Sequence, residues 1–470
     1  MAPRGGLSKT VMRLYAKMRR LGIQRFVSGL AGSVKTGLVY HFVCAESGGL
    51  NGIKMLRTLR PIFSLLIGTA LLLLGVGLLT TLIPLRGREL GYSTTLLGAL
   101  TSAYYAGYFI GTFCLPPLIQ RIGHIRAFAF CTAAVACLVL LHALDSDPWV
   151  WLALRIFAGV ALVGLYTIIE SWLNAQTEPA RRGTVFAIYM MVNLGSLAVA
   201  QQLLRIQGES FVLFIVVTFL VCAATLPVVA TRQAQPVLQP VPRLELRRLY
   251  ALAPTAGVGA LLSGLAMGAF WGLLPVYAGG LGLDLSQIGT YMSVAIVGGA
   301  ALQWPVGRWS DQYDRRVALM VVCALATLLA LLQLLLGRTQ GMMLVLIFLY
   351  GGLAFTVYPV VVAHLVDHLT PEELLSASSS VLLIYGVGSA IGPIAAGALM
   401  SAFGSGALFG WFAVTQAVLA VYAGYRYWHF HREQSTDANF RMMVRTTPTA
   451  LDMLPETDLP SESSGSPANP

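Results

Sequence analysis

Pro61-Ile-Phe-Ser-Leu-Leu-Ile-Gly-Thr-Ala-Leu-Leu-Leu-Leu-Gly-Val-Gly-Leu-Leu-Thr-Thr-Leu-Ile-Pro-Leu85 runs without a charged side chain. A bilayer core takes a helix of about 20 such residues. Lipid offers backbone groups no hydrogen-bond partners, so a stretch like this crosses as a helix. The pattern recurs at 96–119, 125–144, 149–173, 183–204, 210–230, 252–278, 286–306, 316–337, 341–367, 375–400 and 404–427. Together with 61–85 that predicts twelve spans. Strand-like alternation is absent, which excludes an outer-membrane barrel.

Composition agrees. Of 470 residues, 56% are apolar and 11% charged, with a mean hydropathy of +0.73. A soluble domain carries about 25% charge. The six cysteines, Cys44, Cys114, Cys131, Cys137, Cys222 and Cys323, are scattered. They form no C-x-x-C pair or His/Cys cluster, so neither zinc nor a disulfide framework is expected.

The net charge of +11 is explained by topology. Short loops on one side carry Arg121, Arg126, Arg181, Arg182, Arg232, Arg243, Arg247, Arg248, Arg315 and Arg316; the opposite loops carry Arg86, Arg88, Arg205 and Arg338. The positive-inside rule places the first set in the cytoplasm, and an even number of spans then puts both termini there. No nucleic-acid surface is implied. Residues 1–60 are basic, with Glu46 as their one acid. Either an amphipathic surface helix over Val11–Leu30 or translation starting at Met55 accounts for them. The tail, 428–470, is rich in Ser, Thr and Pro and is expected to be disordered. Its mildly apolar stretch Met442–Leu454 could dock on the cytoplasmic face.

The chain repeats itself. At a shift of 191, Pro84, Gly91, Gly98 and Gly107 fall on Pro275, Gly282, Gly289 and Gly298. Past the third span the shift is 193, where Gly159, Asn174, Thr177 and Gly195-Ser196 fall on Gly352, Asp367, Thr370 and Gly388-Ser389. Two six-helix bundles, 61–230 and 252–427, joined by a linker over 231–251, are the expected architecture. Repeated folds of this kind hold substrate between the halves, near the bilayer midplane.

Two motifs carry mechanism. Between spans eight and nine the chain reads Gly307-Arg-Trp-Ser-Asp311-Gln-Tyr-Asp-Arg315-Arg316. This resembles the major facilitator superfamily signature G-x-x-x-D-x-x-[GD]-R-[RK]. Asp311 then serves as a cytoplasmic latch, meeting a helix N-terminus and a basic side chain, while Gly307 permits close approach. The N-half counterpart keeps Arg121 and Gly123, but Gln120 replaces the acid, so a weaker latch is expected there. Span four carries Arg155, Gly159, Gly164, Tyr166 and Glu170, and resembles the superfamily's R-x-x-x-G helix. On a helical wheel Arg155, Gly159, Tyr166 and Glu170 share a stripe about 60° wide. Arg155 and Glu170 lie roughly 22 Å apart along the axis, too far to pair. Arg155 reads either as a cavity charge or as a structural Arg snorkelling to the rim; Glu170 reads as the proton site or as a gate group.

The run Glu170-Ser-Trp-Leu173, with Arg182-Gly183 and Tyr189-Met190 beyond it, is similar to the bacterial YcaD-like branch of the superfamily. The resemblance covers about residues 57–427. It implies an all-α integral membrane fold of two pseudo-symmetric six-helix bundles, alternating access, and an inner-membrane location. Gly392-Pro393 in span eleven is related to an antiporter signature that the superfamily carries in span five; span five lacks it here, so antiport is not inferred.

Tyr105 and Tyr108 in span two, beside Tyr104, are further cavity candidates. So are Asn193 and Gln201 in span five, Trp271 in span seven and Tyr358 in span ten; helix packing explains such residues equally well. His364 and Asp367 are a possible titrating pair. No phosphate-binding loop, catalytic triad or haem motif is present, so no cofactor and no enzymatic activity are expected. The chain reads as a monomeric secondary transporter of a small organic solute, with protons as coupling ion. The alternative is a transporter-like sensor or scaffold that moves nothing.

Overall fold

The structure, a computed structural model, describes residues 62–178, 181–206, 210–231, 249–250, 253–337, 339–367 and 371–429. The readings of the N-terminal extension, of Met55, of most of the linker and of the tail beyond 429 lie outside those residues. From Ser64 onwards the chain forms one unit.

Twelve α-helices make up that unit among the described residues. They are α1 (Phe63–Glu89), α2 (Thr94–Ile122), α3 (His124–Leu144), α4 (Pro148–Ala175), α5 (Arg182–Gln202), α6 (Ser210–Val229), α7 (Pro254–Gly280), α8 (Leu285–Gln312), α9 (Arg315–Leu336), α10 (Gln340–Val366), α11 (Pro371–Phe403) and α12 (Ala407–His429). Eleven are long and apolar enough to cross a membrane. The remaining one, α2, carries Tyr104, Tyr105 and Tyr108 with Pro116-Pro117 and Gln120-Arg121, which lower its hydropathy. Short loops make successive helices antiparallel. We call the end where α1 begins the near end, and the end where it stops the far end.

The two halves pack alike. Helix α2 lies on α4 as α8 lies on α10, and α3 on α6 as α9 on α12. The repeat is visible in detail. Gly91 and Gly282 turn the far-end loops at φ +82° and +81°, a conformation that other residues adopt only with strain. Two residues later Ser93 and Asp284 cap α2 and α8, and Asp284 forms a full capping box with Gln287. A Cβ at Gly107 would strike the carbonyl oxygen of Ile156 on α4; one at Gly298 would strike that of Phe348 on α10. Small residues allow such close backbone approach.

At the α4 and α10 glycines the structure sets the repeat one residue short of the 193 shift. Gly159 packs on the Tyr104 carbonyl, and Gly351, not Gly352, packs on the equivalent Ala295 carbonyl. Adjacent glycines at 351 and 352 hide such a slip from sequence comparison. The helices also overrun their apolar cores. Helix α8 continues to Gln312 and α9 begins at Arg315, so most of the latch motif is helical and the loop is Tyr313-Asp314. Helix α12 likewise carries on to His429, past the expected start of the tail at 428. Charged last turns extend a membrane helix into the headgroup region without lengthening its hydrophobic run.

The halves meet at the far end. A Cβ at Gly98 of α2 would hit the Pro393 carbonyl of α11, and one at Gly289 of α8 would hit the Gln201 carbonyl of α5. Thr94 Oγ1 donates to the Gly397 carbonyl at 2.9 Å, and Gln202 Nε2 to Ser293 Oγ at 2.6 Å. Ser293 in turn donates to the Ala198 carbonyl at 2.7 Å, and Arg205 to Thr290 at 2.9 Å. These groups all sit in the far portions of their helices.

Candidate functional site

Helix α4 starts firmly. Asp147 accepts from the backbone N–H groups of Trp149 and Val150 at 2.8 and 3.2 Å, and Pro148 fills the first helical position, where its missing N–H costs nothing. Two turns on, Arg155 is buried, 4% exposed, so it does not snorkel. Its Nε donates to the Leu100 carbonyl at 3.4 Å, and its guanidinium lies over the Tyr104 ring, 4.7 Å from the centroid. Gly159 is what brings α4 this close to α2, since a side chain there would collide with the Tyr104 carbonyl.

From Arg155 a run of phenol rings descends along the α2–α4 seam. Tyr104 touches Tyr105 at 5.2 Å and Tyr108 at 6.2 Å between ring centroids, and Tyr108 touches Tyr166 at 6.3 Å. The run ends towards the near end at Glu170, which is fully buried and accepts a hydrogen bond from Tyr189 Oη of α5 at 3.0 Å. Arg155 and Glu170 therefore do not pair but are linked through tyrosines. Tyr189 was noted in the sequence as a branch marker, without a role. The signal that could have assigned one was its place in the same motif as Glu170.

The other cavity residues divide. Gln201 is committed to packing: Thr81 Oγ1 donates to its Oε1 at 2.6 Å, and its Nε2 donates to the Gly77 carbonyl at 3.1 Å. That holds α1 to α5. Asn193 is buried on α5. In the C-half, Trp271 of α7 stands edge-on to Phe355 of α10 at 5.8 Å, and Tyr358 of α10 meets Tyr385 of α11 at 4.6 Å. The structure thus groups Trp271 and Tyr358 with aromatic partners on neighbouring helices.

At the near end the latch motif forms a charge cluster within the C-half. Arg315 Nη1 bridges Asp311 at 2.7 Å and donates to Ser310 Oγ at 2.9 Å; its Nε bridges Asp367, at the end of α10, at 3.2 Å. Arg316 turns the other way, onto Asp314 at 2.9 Å, and Asp314 also caps α9 through the Arg316 N–H. Gly307 is buried on α8. Asp311 thus pairs with Arg315 across the α8–α9 turn, and Arg315 carries the link on to Asp367 at the end of α10. Burial alone would raise the Asp314 carboxyl; the hydrogen bonds from the Arg316 side chain and backbone outweigh it, so its pKa lies below the usual carboxylate value.

Among the described residues, the equivalent α2–α3 junction of the N-half carries no such cluster. By the repeat His124 stands where Arg315 does, and its Nε2 lies 3.0 Å from Ser171 Oγ on α4. Arg121 is exposed, and Gly123 ends α2 at φ +83°. A neutral contact replaces an ion pair at the same junction. The sequence reading passed over His124, because alignment on the signature drew attention to Gln120 and Arg121.

Twelve helices in two similar halves that meet at the far end, with a buried Arg and a buried Glu on α4 of the N-half, define a membrane-transporter architecture. The sequence profile of the Major Facilitator Superfamily matches residues 65–249 and 256–451. The chain belongs to that superfamily. Over 353 residues it is 30% identical to the uncharacterized MFS-type transporter YcaD of Salmonella newport, and equally to that of Escherichia fergusonii. Both alignments span 74% of this chain and 91% of the relative. Among solved structures, the nucleoside transporter NupG superposes with a TM-score of 0.64 at 16% identity, covering 79% of this chain and 99% of NupG. A bacterial homologue of the human lysosomal transporter Spinster, in an inward-facing and unoccupied conformation, superposes with a TM-score of 0.61 at 14% identity, covering 78% of this chain and 94% of its own. At such identities the structures establish the fold alone. The chain is a multi-pass membrane transporter of the YcaD-like branch, and its apolar helices and bacterial relatives make it a bacterial inner-membrane protein.

Proposed function

We propose that this protein is a proton-coupled secondary transporter of a small organic solute, working by alternating access as a monomer with both termini in the cytoplasm. The observation that carries this reading is the junction of the halves. Helices α2 and α11, and α5 and α8, approach at the far end through paired glycines. A symmetric, glycine-mediated seam is the kind of interface that can part when one six-helix body, 61–230, rocks against the other, 252–427. The loop arginines support a far end outside the cell, and on that reading this is the conformation closed to the exterior. Arg155 offers a fixed positive charge to an anionic or zwitterionic solute, and its tyrosine neighbours offer faces to a ring or an alkyl body. Glu170 takes up and releases the coupling proton. The cluster Asp311–Arg315–Asp367 steadies the cytoplasmic ends of α8, α9 and α10.

A disulfide across the far-end seam tests the proposal. In a cysteine-free chain in proteoliposomes, Gln202→Cys with Ser293→Cys should support solute flux when reduced and lose it when oxidised. Retained binding with no flux in either state, across a broad solute screen, would favour the sensor or scaffold reading instead.

A further inference from the structure

Arg155 and Trp271 stand at similar depth in opposite halves. Arg155 lies seven residues into α4, and Trp271 nine residues before the end of α7. At the helical rise that puts them roughly 10 and 14 Å below the far end. Both flank one turn of α2. Arg155 Nε donates to the Leu100 carbonyl at 3.4 Å, and a Cβ at Gly272, beside Trp271, would strike the side chain of Thr101. Both also turn inwards. Ala153 and Phe157 of α4 are exposed, and Arg155, two residues from each, falls on the opposite face of the helix. On α7 no residue but the last, Gly280, is exposed, so the accessible part of Trp271 does not face lipid.

The guanidinium is only partly used. Tyr104 covers one face and Leu100 takes Nε. Among the described residues neither Nη group donates a hydrogen bond, and neither is sealed off by protein. A buried cation left without a hydrogen-bonded counter-group is unfavourable. The two Nη groups form a planar fork that matches the two oxygens of a carboxylate. Trp271 belongs to a triangle of edge-on rings. It meets Phe270 at 5.4 Å and Phe355 at 5.8 Å between centroids, and those two meet at 5.4 Å. Phe270 and Phe355 are buried, whereas Trp271 keeps accessible surface. The triangle holds the indole in place and leaves part of it available to one more ring, edge-to-face or offset-stacked.

We propose, building on the transporter reading above, that the solute is an aromatic carboxylate held between the halves. Its carboxylate sits on the Nη fork of Arg155 in the N-half, and its ring packs against Trp271 in the C-half. Arg155 selects the charge and Trp271 selects the ring.

The test measures equilibrium binding to the full chain in nanodiscs, without any gradient and above the background of empty nanodiscs. Three tritiated probes of one shape are compared: naphthalene carboxylate, its neutral carboxamide, and the saturated decalin carboxylate. The parent should bind naphthalene carboxylate about ten-fold more tightly than either of the others. Arg155→Gln should abolish the preference for carboxylate over carboxamide, and Arg155→Lys, which keeps the charge but not the fork, should retain part of it. Trp271→Leu should abolish the preference for naphthalene over decalin while keeping that for carboxylate over carboxamide, which also shows that the variant is folded. If the parent binds the two carboxylates alike, or binds none of the probes, the proposal falls. If Arg155→Gln keeps the carboxylate preference, the anion is held elsewhere and the proposal falls equally. A parent that concentrates some other solute under a pH gradient but ignores naphthalene carboxylate would overturn this substrate class and leave proton-coupled transport standing. The predicted binding pattern with no flux would uphold the site and overturn transport.

Discussion

Tyr189 donates its hydroxyl to Glu170 at 3.0 Å, and both side chains are fully buried. The bond ties α5 to α4 at the near end of the aromatic run. Tyr189→Phe keeps the ring and removes the donor. The variant should lose about 1–2 kcal/mol of stability, read as an earlier thermal unfolding of purified protein. If Glu170 handles the proton, the pH at which transport is half-maximal should move as well. An unchanged pH profile with an unchanged melting temperature would show that the bond contributes nothing.

The near-end cluster predicts a ranking. Asp367 is 6% exposed in its side chain and Asp311 is 26% exposed. Asp367→Asn should therefore destabilise the protein more, by about 2 kcal/mol. Asp311→Asn should preserve the fold yet slow turnover. Gln120→Ala, at a position with no charge to lose, should do much less than either. Thermal melts alongside flux would show the order, and equal effects at Asp311 and Gln120 would contradict the asymmetry between the halves.

Asp314 makes a pH prediction. Its folded pKa is lowered, so its charge-dependent contribution is complete above the ordinary aspartate value of about 4 and is lost as pH falls through the lower folded value. Stability on the acid side should decline less steeply in Asp314→Asn than in the parent, with the two curves parallel above about pH 5. Melting temperatures between about pH 3 and pH 7 would show this. Identical acid limbs would count against the Asp314–Arg316 pairing.

The glycines separate two kinds of packing. Gly107→Ala and Gly298→Ala place a methyl against a neighbour within the same half, so they should cost stability through overpacking, about 1–3 kcal/mol each. Gly98→Ala and Gly289→Ala place it against the other half. They should instead bias the protein towards parting at the far end, read as increased labelling of a cysteine at Gln202. If all four merely lowered the melting temperature, with no change in labelling, the far-end seam would be static.

The fold was legible because its determinants are one-dimensional. Apolar run length gave all twelve helices, and the constant offset of Gly98 and Gly289 gave the two halves. The stripe on α4 was legible for the same reason, since one helix's periodicity puts Arg155, Tyr166 and Glu170 on one face. Partners on other helices were not. Periodicity says that Gln201 faces inwards, but only the packed structure shows its amide taken up by Thr81 and Gly77. Nor does the signature around Asp311 reveal that Arg315 reaches on to Asp367. The slip between Gly351 and Gly352 arose where tandem small residues made two registers equivalent in sequence and distinct in space.

Coupling of proton movement to solute movement through Glu170 is tested directly by one experiment. Glu170→Gln and the parent are reconstituted in proteoliposomes and assayed twice with a solute found by screening. One assay measures accumulation driven by an imposed pH gradient; the other measures exchange of labelled for unlabelled solute with no gradient. Glu170→Gln should lose gradient-driven accumulation and keep exchange. A variant that still concentrates the solute when driven by protons would contradict it.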